Sequence, residues 1–181
     1  WAALACDFFD FARNRKPGTA RVRLFNPSLK THGWESPHTV LQIANSDMPF
    51  LVDSVTMALA EQDIGVHVLG HPVVPFTRDK SGKLVKVGEG EPESLMHLEI
   101  DRLSTDAMPK VEKAVLAVLA GVRAMVTDWS AMQGKMLGVA DELGERKLPV
   151  SEEGRKEAQE FLRWAADNHF TFLGYRAYEV V

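Results

Sequence analysis

The chain turns abruptly at Asn45-Ser46-Asp47-Met48-Pro49-Phe50-Leu51, directly after the apolar run Thr39-Val40-Leu41-Gln42-Ile43-Ala44. The run reads as a strand. Beyond the turn Leu51, Val55, Ala58, Leu59 and Gln62 recur at helical spacing and predict an amphipathic helix ending near Asp63. Asn45, Ser46 and Asp47 can each cap that helix, because a short side-chain oxygen accepts from the free N–H groups of a first turn, and Asp47 is assigned this role. Pro49 would sit where its fixed φ helps and its missing N–H costs nothing. A strand that runs straight into a helix N-terminus leaves N–H groups pointing outward at one edge of a sheet. Small anionic ligands favour such places.

Length and composition narrow the setting. The 181 residues suffice for one sizeable core or two small ones, and 45% apolar with 25% charged content is that of an ordinary globular protein. The net charge of −4 argues against nucleic acid as a partner. No apolar run approaches the ~20 residues needed to span a bilayer, so no membrane partner is expected, and no signal peptide is recognisable. One cysteine, Cys6, cannot form an internal disulfide, which points to a reducing, cytoplasmic location. The chain opens on Trp1 and stops at Tyr178-Glu179-Val180-Val181, inside a strand-like run, as a piece of a longer polypeptide would.

Trp1, Leu4, Ala5, Phe8, Phe11 and Ala12 predict a first helix, ended by Arg15-Lys16-Pro17-Gly18. Ala20 to Phe25 alternates as a short strand, and residues 26–37 read as a polar loop. Ile64 to Arg78 is strand-like, with Pro72 and Pro75 making its second half an edge or bulged. Asp79-Lys80-Ser81-Gly82 signals a turn into a hairpin arm at residues 83–87. From Ser94 to Leu103, Met96, Leu98 and Ile100 alternate with His97, Glu99 and Asp101, which predicts one covered and one wet face. Val111 to Met132 marks a long amphipathic helix whose pattern Gly134, Gly138 and Gly144 break. Pro149 and Ser151 start another helix, and residues 170–181 read as a final strand.

From Thr39 the order is therefore βαββαβ, which implies a ferredoxin-like antiparallel sheet with both helices on one face: an α+β fold with additional helices. The expected division is 1–38 as an amino-terminal helix and loop, 39–135 as the sheet domain, and 136–181 as a helical linker with a strand that closes the sheet or leads into a further domain.

Most chemistry-bearing residues have plain structural readings. His67 and His71, four apart on a strand, are separated by ~13 Å, too far for two ligands of one ion. No metal site is assigned. No G-x-S-x-G elbow is present, and Cys6 on an amphipathic helix reads as a small buried hydrophobe. Gly88-Glu89-Gly90-Glu91-Pro92 does not make G-x-G-x-x-G, and no P-loop occurs, so no cofactor site and no catalytic residue is assigned. Asp53 belongs to a solvated helix face, and Trp129 and Trp164 to core or interface. The turn at 45–51 is the exception.

The blocks Asn45 to Val55, His71-Pro72-Val73, Arg78-Asp79 with Gly82, Glu93 to Asp101 and Asn168 to Arg176 resemble the amino-terminal region of the large bacterial NAD-specific glutamate dehydrogenases. The resemblance implies a parent enzyme that oxidatively deaminates L-glutamate to 2-oxoglutarate with NAD, whose dinucleotide and substrate sites lie downstream of this region. It implies partners in the remainder of the parent polypeptide and in a homo-oligomer. The region is similar to ACT-type regulatory domains, which often bind amino acids at the first strand-to-helix turn. There D-x-P-G-L-L is common, and Asp47-Met48-Pro49-Phe50-Leu51-Val52 lines up with it. The candidate effector-binding residues are Asn45, Ser46, Asp47, Met48, Phe50 and Leu51, with Asn45 and Asp47 holding a ligand's ammonium group. Phe50 replaces the glycine that would let a ligand approach the backbone. The alternative to a sensing domain is a scaffold for oligomerisation or interdomain packing.

Overall fold

In the computed structural model, residues 2–145 and 149–178 are described. They form α1 (Ala2–Ala12), β1 (Arg21–Phe25), a short turn of helix α2 (Leu29–His32), β2 (Thr39–Ser46), α3 (Leu51–Ala60), β3 (Val66–Gly70), β4 (Val73–Arg78), β5 (Leu84–Val87), β6 (Glu91–Ile100), α4 (Met108–Glu145) and α5 (Glu152–Trp164). A single wide turn, Ala165–His169, follows α5. The chain divides into two compact units, Trp1–Val122 and Arg123–Val181, and the division falls within α4.

The six strands make one antiparallel sheet in the order β1-β2-β6-β4-β5, with β3 pairing β6 as well. The strand-like run from Ile64 to Arg78 is thus two strands laid end to end along β6. β3 meets residues 97–100 and β4 meets residues 91–94, and the break falls at His71-Pro72, where proline offers no donor. β2, α3, β3–β4, β6 and α4 follow the ferredoxin-like plan, and the fold is α+β and ACT-like. One departure concerns the edge beside β2. In the βαββαβ plan a strand following the second helix occupies it, whereas here β1 does, pairing Arg21↔Ala44 through Phe25↔Val40. Residues 170–178 form no strand, and the remainder of the expected final strand, residues 179–181, lies outside the described residues.

Alternation assigns the two faces. Leu41, Ile43 and Asn45 of β2 share one with Ser94, Met96, Leu98 and Ile100 of β6, all buried. The apolar stripes of α3 (Leu51, Val55, Ala58, Leu59) and of the first part of α4 (Val111, Val115, Leu119, Val122) are buried as the helical layer of this core. The opposite face was expected to be wet, and it is covered. Phe8, Phe11 and Ala12 of α1 pack there with Ala44, Leu95 and Phe76, and β2 is buried along both faces from Thr39 to Asn45. A polar alternation in β6 reads the same whether water or a hydrogen-bonding network lies over it. Cys6, two residues from Phe8 and so on the far side of α1, is exposed rather than buried.

The segment after α1 is strapped to the β5 edge by Arg15 N–H donating to Gly82 O and Leu84 N–H to Arg13 O, at 3.0 and 2.8 Å. Gly82 has φ +87°, and a Cβ there would stand 2.2 Å from Arg15 O, so only glycine fits. Beneath this strap Glu93, 1% exposed, takes two guanidinium groups. Arg15 Nε lies 2.9 Å from Oε2, and Arg78 Nε lies 2.5 Å from Oε1.

α4 runs 38 residues, straight through Gly134, Gly138 and Gly144, which were expected to break it. A glycine in a helix interior costs only ~1 kcal/mol relative to alanine, and at Gly144 a Cβ would meet the Gln159 side chain at 2.6 Å. By length and composition alone α4 is also long and apolar enough to cross a membrane. Counting uninterrupted runs misses this, because Arg123 divides the stretch. The next helix begins as expected, with Ser151 as N-cap accepting from Gly154 N–H.

Candidate functional site

The turn between β2 and α3 does not follow the expected capping arrangement. β2 continues through Asn45 and Ser46, held by the pairs Asn45↔Ser94 and Ser46↔Glu93, and Asp47 N–H donates to Pro92 O at 3.0 Å. The ladder thus extends β2 through Ser46 and places the start of α3 later than the sequence pattern predicts. α3 instead begins after Phe50, which is its N-cap residue and makes no side-chain capping bond. Pro49 therefore lies in the turn and not in the first helical position.

Phe50 has φ 68° and ψ 5°, the left-handed region. For a residue with a Cβ this costs ~1–2 kcal/mol, and it is the conformation that glycine adopts freely. The aligned glycine of the D-x-P-G-L-L pattern has been replaced without moving the backbone out of a glycine conformation. Phe50 is 46% exposed, and Leu51 beside it is buried. The N–H groups of Leu51, Val52 and Asp53 begin the helix behind this turn.

The candidate residues divide between environments. Asn45 is fully buried on the face shared with Met96 and Leu98. Ser46, one residue on, belongs by alternation to the opposite face, alongside Glu93. Asp47 and Phe50 are exposed, and Met48 is half-buried. All six candidates thus lie at one end of the sheet, but Ser46 is turned to the opposite face. Two residues outside the candidate effector set also reach this end: Ser94, buried opposite Asn45, and His71, whose Nε2 lies 2.6 Å from Ser94 Oγ. The β2–β6 register brings them there, and single-strand periodicity carries no register.

The other histidines are placed by distinct contacts. His67 lies 2.7 Å from Asp101 Oδ1 and stacks on His38 with centroids 4.1 Å apart. The Gly65 N–H and His67 hold the Asp101 carboxyl below its ordinary pKa. His97 is buried under α1, against Gln42 and not against His67 or His71. Among the described residues no group of three or more His, Cys, Asp and Glu side chains is arranged to hold a metal ion. In the second unit, a cleft of about 330 Å³ runs along α4, lined by Gly134, Lys135, Gly138, Glu142 and Tyr175.

Comparison with known proteins agrees with this architecture. Residues 1–115 match the family described as glutamate dehydrogenase, ACT1 domain, a span that includes α1 and β1 as well as the βαβ core. A NAD-specific glutamate dehydrogenase of Pseudomonas aeruginosa is 41% identical over 167 residues, 88% of this chain and 10% of that protein. The enzyme of the same description from Halomonas elongata is 37% identical over 179 residues, 94% of this chain and 11% of that protein. One from Mycobacterium tuberculosis is 29% identical over 148 residues, 75% of this chain. The chain spans about a tenth of the length of the curated relatives it matches. With its ACT-like sheet and this match across the whole of it, the chain belongs to the glutamate dehydrogenase ACT1 domain family.

Proposed function

We propose that this chain is a non-catalytic regulatory domain of an NAD-dependent glutamate dehydrogenase, an enzyme that oxidatively deaminates L-glutamate to 2-oxoglutarate, and that it responds to an amino acid at the turn 45–51. The observation that carries the reading is Phe50. A strained left-handed residue persists only where its surroundings demand it, and such residues gather at ligand clamps and switches. The turn keeps the glycine-type backbone and its N-cap residue Phe50 makes no side-chain capping bond, so in the proposal the first N–H groups of α3 receive an α-carboxylate. Exposed Asp47 supplies the counter-charge for the ammonium group, and the Phe50 ring offers an apolar wall. Asn45, Ser94 and His71 form the floor.

In the proposal NAD and glutamate are handled elsewhere in the parent polypeptide. Two measurements test it together. Amide resonances of residues 47–53 should move selectively on titration with one L-amino acid, and the chain alone should show no glutamate-dependent reduction of NAD. Turnover by the chain alone, or shifts confined to other residues, would overturn the assignment.

A second reading, a scaffold that assembles the enzyme, is favoured by the sheet edges, where Val66, Val68 and Leu69 of β3 and Val85 and Val87 of β5 are exposed. Met132 and Trp129 of α4 do not support it, because Met132 is buried and Trp129 lies 6.5 Å from Phe172 of the same unit. A concentration-dependent mass in sedimentation equilibrium, abolished by Val68→Lys and indifferent to amino acids, would favour the scaffold.

A further inference from the structure

A chain of hydrogen bonds crosses from α1 to the centre of the sheet on the face away from α3. Arg23 of β1 donates from Nη2 to Asp7 Oδ2 of α1 at 2.6 Å. Its Nε and Nη2 both donate to Gln42 Oε1 of β2, at 2.8 and 2.5 Å. Gln42 Nε2 lies 3.1 Å from Nδ1 of His97 on β6. Arginine has donors only, so the Gln42 oxygen must face Arg23 and its NH2 must face the imidazole. Nδ1 of His97 is therefore an acceptor, and the ring is neutral with its proton on Nε2.

A second proton has no place in this arrangement. Protonated Nδ1 would set one donor against another across 3.1 Å. Rotating Gln42 to offer its oxygen would turn its NH2 onto the Arg23 guanidinium and break the bonds there. His97 is 9% exposed, under Phe8 of α1 at 6.1 Å between centroids and Trp34 at 6.2 Å. Water cannot resolve the conflict while α1 is in place. We propose that His97 is a proton-sensitive latch: neutral, it completes the chain Asp7–Arg23–Gln42–His97 that ties α1 to the sheet, and protonated, it releases α1.

The groups around the ring act in both directions. Burial disfavours the charged form most strongly; Glu99, whose Oε1 lies 4.0 Å from Nε2, favours it; Arg23 opposes it; and Asp7 favours it. Glu99 is itself engaged by the Ser36 hydroxyl at 2.5 Å. The balance lies below the ordinary histidine value of 6.5. A group whose folded pKa is depressed in this way binds its proton better when released. The latch is fully closed above pH 6.5 and weakens as the pH falls from 6.5 toward the folded pKa.

The test is a pH titration of the full chain from 8 to 5, following the His97 ring by NMR and the α1 amides by hydrogen exchange. His97 should titrate below 6.5, and the protection factors of α1 should fall by up to about tenfold per pH unit below that value. In Gln42→Glu the carboxylate can accept from Arg23 and from protonated Nδ1 together. His97 should then titrate above 6.5, and acid should no longer loosen α1. His97→Phe should remove the pH dependence whatever it does to stability, so one informative variant remains if the other fails to fold. The proposal is overturned if His97 titrates at or above its ordinary value in the parent chain, or if α1 loosens with acid equally in His97→Phe.

Discussion

Two residues concentrate the energetics of the first unit. Glu93 is buried between Arg15 and Arg78. Burial alone would raise its pKa, but the hydrogen bonds and charges of the two guanidinium groups prevail and hold it below the ordinary carboxylate value. A depressed carboxylate contributes stability that is present above the unfolded pKa of 4.5 and is lost as the pH falls through the folded value. Glu93→Gln should cost ~3–5 kcal/mol at neutral pH, because it leaves two guanidinium groups in a buried site without their anion. It should also flatten the acid limb of stability against pH in urea titrations. Phe50 makes the opposite kind of prediction. In a helix interior alanine is more stable than glycine, whereas at φ 68° the order should reverse. Phe50→Gly should exceed Phe50→Ala by about 1 kcal/mol, read as a higher urea midpoint at unchanged slope. Equal midpoints would mean that the turn relaxes to an ordinary conformation.

At the scale of elements, α1 and β1 complete the sheet. β1 covers the edge of β2 through five residue pairs, and α1 covers the face where Ala44, Leu95 and Phe76 lie. A chain beginning at Thr39 would expose that apolar face together with Gln42, Glu93 and His97. It should lose the cooperative thermal transition of the parent, and a sharp transition at an unchanged midpoint would show that α1 and β1 are dispensable. How legible these elements were follows from where their signals lie. β2, α3 and β6 could be read because their periodicity is local and strong. The order of β2, α3, β3–β4, β6 and α4 then implied the plan of the sheet. The place of β1 beside β2 was not legible, because nothing in residues 21–25 says which edge they join; pairing is a long-range property. Covering of the polar face of β6 was missed for a related reason: a glutamate paired with two arginines has the same letter as a solvated one. The N-cap of α3 falls at Phe50 and not at Asp47, because the β2–β6 ladder runs on through Ser46 and the Asp47 N–H is held by Pro92 O, a pairing that no local pattern carries. His71 and Ser94 joined the site only through register, while Phe50 stood out from the sequence alone as a departure from glycine.

At the scale of the whole molecule, the proposed function turns on whether the ACT-like unit binds an amino acid. A ligand that binds only the folded chain stabilises it by RT ln(1 + [L]/Kd), ~2.7 kcal/mol at a hundredfold excess over Kd. The most direct measurement is thermal unfolding of the chain against a panel of L-amino acids, 2-oxoglutarate and NAD at millimolar concentration, repeated with Asp47→Ala. Asp47 is exposed and its side chain does not cap α3, so this variant should keep the parent's unliganded midpoint. The midpoint should rise with one amino acid and not with NAD, and the rise should be lost in Asp47→Ala. An unchanged midpoint with every amino acid, or a shift that survives in Asp47→Ala, would contradict the turn as an effector site.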